Sequence, residues 1–196
     1  MRCANTVAAQ YAKVPSFATY TVQTKLLLFK KDESFDRRVS VRTADQVAVV
    51  FDERTNKEHS DANVVARAVR GYSVEVADDA GERLIHVHLI AGSQVRRNAQ
   101  LWFQDVYIDK NTDLPIRVTW AADDTTMTAD YETVQGYWPL KSLSVRATVF
   151  VPLHIGRTTV AFEARFDGYT FSEVAPDPRL VPGALPTPSA AASATP

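Results

Sequence analysis

The chain has a single cysteine, Cys3, in 196 residues. That excludes an internal disulfide and a cysteine-based zinc site, each of which needs more than one thiol. It does not choose a compartment, because exported proteins can also lack bridges. An excess of charge of one sign is missing too, since 22 basic residues stand against 23 acidic ones. No field over the whole molecule would therefore draw in nucleic acid or an anionic membrane. Nor does any run approach the roughly 20 apolar residues that a membrane-crossing helix needs. The first residues lack the apolar core of a secretory signal, so the chain as written reads as cytosolic, already processed or trimmed. Catalytic signatures are absent as well: no Gly-x-Ser-x-Gly elbow, no phosphate loop and no dinucleotide fingerprint. An enzyme reading has no residues to stand on, and no cofactor is expected.

What the chain does have is apolar material, 45% of its residues, with 10% aromatic. One domain is the default, since about 150 residues bury roughly 70% of their unfolded surface. The clearest architecture lies in residues 101–120, LWFQDVYIDKNTDLPIRVTW. Two apolar-rich runs flank Asp109-Lys110-Asn111-Thr112-Asp113, residues that favour turns by bonding their own backbone. The stretch reads as a β-hairpin. Pro115 lacks a backbone donor, so it belongs at a strand start.

On the N-terminal side, Val7, Ala8, Tyr11 and Ala12 fall at helical spacing, and Pro15 stops the run, which predicts a short helix. From Ala18 the period becomes two, with Tyr20, Val22, Thr24, Leu26 and Leu28 on one face. A charged turn over 30–34 and β-rich runs over 37–43 and 46–51 follow. Residues 60–72 break the pattern: Asp61 suits an N-cap, Val64, Val65, Ala68 and Val69 share a face, and Gly71 fits the helix end. A short amphipathic helix is favoured there, another strand being the alternative. Runs 72–77 and 83–90 make the next hairpin, and 91–98 reads as a polar connection. After Trp120 come strands over 125–134, 143–151 and 158–166, with Gly168 marking a bulge before 169–174. Beyond Ala175 the composition turns to Pro, Ala, Ser and Thr, which predicts a disordered tail. The expected organisation is an N-terminal helix over 1–16, a β domain over 17–175 and a tail over 176–196.

His86 and His88, two apart on a strand, share a face and could offer two imidazoles to a metal. Two ligands do not make a site, so a solvated or hydrogen-bonded strand face is expected and no metal. Asp78-Asp79 and Asp123-Asp124 are adjacent acids at hairpin tips, where they act as turn formers rather than as an acid/base pair.

The segment Val106-Tyr107-Ile108-Asp109-Lys110-Asn111-Thr112-Asp113-Leu114-Pro115 resembles the strand, Asp, turn, Leu-Pro signature of the LolA/LolB-like superfamily of bacterial envelope lipoprotein carriers and outer-membrane lipoprotein-sorting proteins. Residues 131–139, a strand followed by a Gly-aromatic-Pro turn, and the final run ending at Tyr169-Thr170-Phe171 resemble it too. The resemblance implies a mainly β (α+β) fold, a curved antiparallel sheet forming an unclosed half-barrel. About 10–11 strands and one or two short covering helices are expected on the strand reading above. It implies a place in the periplasm or cell envelope and a lipid or acylated protein as partner, or another envelope protein. The apolar strand faces then put Leu26, Leu28, Phe51, Trp102, Val118, Trp120, Val149 and Phe162 on the concave side, with Val65 and Val69 on the lid. Two readings stay open: a hydrophobic-ligand binder using those residues, or a protein-docking module in which they form a filled core.

Overall fold

A period of two can be satisfied only by extended backbone, and it dominates the chain. The computed structural model describes residues 2–11, 13–28, 31–43, 71–77, 80–98, 101–151 and 156–178. Helix α1 (Arg2–Tyr11) precedes strands β1 (Phe17–Leu28), β2 (Lys31–Arg42), β3 (Tyr72–Ala77) and β4 (Leu84–Ala91). A six-residue helix α2 (Ser93–Asn98) leads to β5 (Trp102–Asp109), β6 (Pro115–Ala121), β7 (Thr125–Tyr131), β8 (Leu140–Val151) and β9 (Gly156–Ser172). The expected run 46–51 and helix 60–72 fall almost wholly outside the described residues. The same holds for most of the tail.

All nine strands form one sheet in the order β2-β1-β9-β8-β7-β6-β5-β4-β3, and every neighbouring pair is antiparallel. From β3 to β9 the chain simply meanders. The N-terminal pair then joins at the far side, because β1 lies against β9. The sheet is not closed: β2 and β3 are its two edges. This is the mainly β, open half-barrel expected, with nine strands among the described residues.

Residues directly opposite each other in an antiparallel ladder point to the same face. One such row crosses almost the whole sheet: Val76, Val87, Val106, Val118, Ala129, Leu143, Ala164 and Thr24. The next row on the opposite face reads Glu75, His88, Asp105, Thr119, Thr128, Ser144, Glu163 and Lys25. The sheet therefore has an apolar face and a polar one. Helix α1 covers part of the former, with Val7 buried in a cluster with Leu114, Val118, Trp120, Ala129, Tyr131 and Trp138. Cys3 packs beside this cluster, and burial pushes its thiol up to about 11.

The central hairpin is closed by Asp109. Its Oδ1 accepts the backbone N–H of Asn111 at 2.8 Å and of Thr112 at 3.3 Å, and its Oδ2 accepts Arg83 Nε at 2.9 Å. The Asp109 N–H donates to the Leu114 carbonyl at 3.0 Å, and Asp113 takes a positive φ of 55° to complete the turn. Pro115 begins β6 as expected. Its carbonyl accepts the buried Trp138 indole N–H at 2.7 Å.

Three sequence expectations need correction. The charged residues 31–34 are not a turn but the start of β2, paired with β1 from Leu28↔Lys31 onward. A twelve-residue β1 extends its ladder along the whole of β2, which outweighs the weak strand preference of Lys, Asp and Glu. Residues 93–98, expected only as part of a polar connection, form a helical turn. Its start is fixed by close backbone contact: the Gly92 N–H donates to the Gly71 carbonyl at 3.0 Å, and a Cβ on Gly92 would meet that oxygen at 2.8 Å. Lastly, the runs 158–166 and 169–174 are not two strands but one, β9, which ends at Ser172. β9 passes through Gly168 with its φ of 65°, and the register with β1 shifts between Thr19 and Thr21, which is the bulge expected there.

Val118, 3% exposed at the middle of the apolar row, should carry weight that Val174, 76% exposed, does not. Val118→Ala should cost about 2 kcal/mol through lost burial and a residual void. Val174→Ala should be close to neutral, both read as urea midpoints at unchanged slope.

The Asn111 N–H above all, opposed by burial and helped by Arg83, holds the Asp109 carboxyl below the usual carboxylate range. Its contribution to stability is thus fully present above the unfolded pKa of about 4 and is lost as pH falls through the folded value. Asp109→Asn should lower stability at neutral pH, and the gap to the parent should close on acidification below about pH 4, measured by urea unfolding across pH.

Candidate ligand-binding face

The apolar face continues in a second row beside the first: Phe103, Trp120, Met127, Val145, Phe162 and Leu26. The two rows differ in cover. Val118, Ala129 and Ala164 in the first are buried, whereas in the second only Trp120 is, and Phe103, Met127, Val145, Phe162 and Leu26 stay partly open. Further along β8 on the same face, Val149 is 37% exposed. Among the described residues, helix α1 covers one part of the face: Phe103 and Met127 pack against its cluster while staying partly exposed, and Val145, Phe162 and Leu26 carry the apolar surface on beside it. Near the β1–β9 ladder, Tyr20, Val22, Ala164 and Tyr169 form a second core cluster against Phe162, Phe166 and Phe171.

Two polar groups on this face are committed to backbone carbonyls. The Trp138 indole bonds the Pro115 carbonyl, and the Tyr169 hydroxyl donates to the Leu140 carbonyl at 2.6 Å. Tyr131 stacks on Trp138 with centroids 4.3 Å apart, and Phe103 lies 5.5 Å from Trp120. The surface beside them is largely hydrocarbon, which offers burial but little direction.

Of the residues expected to line this face, Leu26, Val118, Trp120, Val149 and Phe162 do share it. Trp102 does not. It stands opposite Ala121, so it falls on the polar face, where Arg96 lies 5.7 Å from its ring centroid. The reason is a bulge. The β5–β6 register shifts between Phe103 and Asp105, and the extra residue Gln104 reverses the alternation, so Phe103 takes the inward place that strict counting from Val106 assigns to Trp102. Leu28 pairs with Lys31 through its backbone, and its side chain lies outside the description. Phe51, Val65 and Val69 lie outside the described residues. Phe103, Met127 and Val145 went unrecognised. Met127 and Val145 could have been found from alternation, but Phe103 could not without knowing of the bulge.

The polar face carries the titratable clusters. His86 Nε2 and His88 Nδ1 both bond Asp105 Oδ1, at 2.8 and 2.9 Å. His86 also stacks on Tyr107, centroids 4.3 Å apart. Burial pushes the Asp105 carboxyl up, but the hydrogen bonds from His88 and His86 together outweigh it and hold the group below its ordinary value. The hydrogen-bonded strand face expected for the two histidines is what the structure has. Among the described residues no group of three His, Cys, Asp or Glu side chains is arranged to hold a metal.

A cleft of about 1030 Å³ opens at the end of the sheet that carries the Asp109 turn, lined by Arg83, Arg117, Lys141 and Arg165 among others. Its charges largely neutralise each other: Arg83 pairs with Asp109 at 2.9 Å, Arg117 with Asp130 at 2.6 Å and Lys141 with Glu132 at 3.8 Å. Ser142 donates to Asp130 Oδ2 at 2.9 Å, which ties the hydroxyl into the same network. Asp124 pairs with Arg157 at a hairpin tip, as a turn residue would. Asp78 and Asp79 lie outside the described residues.

No family model matches the chain, and no curated protein does. Among solved structures, it is similar to an outer membrane lipoprotein-sorting protein domain from Vibrio parahaemolyticus, at 9% identity and a TM-score of 0.43, over 86% of this chain and 91% of that one. It is also similar to a DUF1329 family protein from Desulfovibrio piger, at 8% identity and a TM-score of 0.45, over 94% of this chain and 98% of that one.

Proposed function

We propose that the apolar face binds a hydrophobic ligand, a lipid or the acyl chain of a lipoprotein, and that the protein is a non-enzymatic component of the cell envelope. The observation that carries the reading is the half-open row of Phe103, Met127, Val145, Phe162 and Leu26 beside the part covered by α1. The envelope location rests on the resemblance of the 106–115 hairpin. The proposed contact set is Leu26, Val118, Trp120, Val149 and Phe162, with Phe103 taking the place of Trp102. Leu28, Phe51, Val65 and Val69 complete the proposal from the sequence.

Each methylene of such a ligand gains about 0.8 kcal/mol by leaving water. A chain of 10 or so buried methylenes would bind firmly even after the cost of association, but chains differing by one carbon would be hard to tell apart.

Native mass spectrometry of the purified protein should find co-purified lipid, and titration with a fluorescent fatty acid should saturate at one site. Leu26→Glu or Phe162→Glu should weaken uptake at least about tenfold, a loss of roughly 1.4 kcal/mol. Thr126→Glu, on the opposite face, should leave it unchanged. A protein that carries no lipid and takes up no fatty acid would sink the proposal.

A further inference from the structure

The two edges of the open sheet are chemically unlike. β3 carries Val74 and Val76 on the apolar face, 57% and 69% exposed, and its one charged residue is Glu75 on the polar face, itself exposed. Among the described residues Glu75 makes no ion pair. Within its six residues the strand has no lysine, no proline and no bulge in its ladder with β4, three of the devices that blunt an edge. Its start is held in place by the Gly71–Gly92 contact.

β2, at the other edge, alternates in a matching way. Val39 and Val41 share the apolar face, standing opposite Tyr20 and Ala18, while Arg38, Ser40 and Arg42 share the polar one. Arg38 is exposed. Laid beside β3 in parallel with the apolar faces continuous, Val39 and Val41 would meet Val74 and Val76, Ser40 would stand beside Glu75, and Arg38 would reach Glu75 along the diagonal. Pairing of β3 with a second β3 has no such complement. Centred on Glu75 it opposes two carboxylates, and centred on Val74 it sets Glu75 against Ser73.

We propose that the β3 edge takes the β2 edge of a second copy of this chain. Backbone pairing would extend the sheet from both edges of its described strands, valine would cover valine, and the diagonal Arg38–Glu75 contact would favour this partner. Such an interface is heterologous, so the assembly either closes into a ring or extends as a chain. It is independent of the proposed ligand face, and either reading can fail alone.

The test is sedimentation velocity across protein concentration, with amide hydrogen exchange on the same samples. Mass should rise above that of the monomer with concentration, fall with added salt, and bring new protection to the amides of β3 and β2. Glu75→Arg and Arg38→Glu should each weaken association at least about tenfold. The double variant, with both charges exchanged, should regain it. Both residues are exposed, and circular dichroism confirms that each variant folds. A protein that stays monomeric to about 1 mM, a contact worth less than about 4 kcal/mol, overturns the proposal. So does an assembly that Glu75→Arg leaves intact, or one in which β3 gains protection and β2 does not.

Discussion

The ladder between β1 and β9 is the constraint on which the rest depends. It joins the first strand of the chain to the last, from Phe17↔Ser172 to Leu27↔Ala161, and without it the sheet would divide into a seven-stranded meander and a lone hairpin. A lone hairpin is marginally stable in water. The ladder brings Thr24 and Leu26 into the rows that Ala164 and Phe162 continue from β8, and it gathers Tyr20, Phe166 and Tyr169 into the second core cluster. Because its loop spans nearly the whole chain, this closure comes at high entropic cost and belongs late in folding, after the local hairpins have formed.

The same registers that build the apolar face dictate the other one. In the row from Val87 to Ala164, each step that adds a Val, Ala or Leu on one side has a Thr, Ser, His or charged residue next to it on the reverse, so the two faces are products of a single alternation. Chemistry follows that division. On the polar side imidazoles, carboxylates and guanidinium groups are consumed by one another, in the His86–Asp105–His88 and Arg117–Asp130–Ser142 networks. The apolar side has no such internal satisfaction to reach, since hydrocarbon is indifferent to what covers it. Among the described residues, α1 packs over part of it, and the apolar side chains beside that part stay partly exposed.

Much of this was legible in the residues. The Asp109 turn could be read because Asp, Asn and Thr bond their own backbone wherever they stand, and β6 could be placed because Pro115 permits few positions. The paired histidines could be put on one face by counting in twos. What escaped was anything set by a partner rather than by the segment itself. The residues 31–34 look like a turn alone and become strand only because β1 is long enough to pair with them. Trp102 and Phe103 exchange places because Gln104 is an extra residue against β6, and an insertion of that kind is a relation between two strands. Helix α2 is similar: SQVRRN has no apolar stripe of its own, and its shape comes from the glycine contact at its start.

The strands among the described residues number nine, an odd count, and in their sheet that has a geometric result. Direction alternates at every step from β3 across to β2, so the first and last strands of the row run the same way. A hairpin-style ladder between them is therefore impossible with the apolar side kept continuous. Any bonding that joins the two rims in that manner is parallel, slanted and evenly spaced, unlike each of the eight ladders already present. An even count would have let the sheet roll shut with the same ladder it uses everywhere else. With nine strands the seam has to be made in a different bond pattern from the cloth.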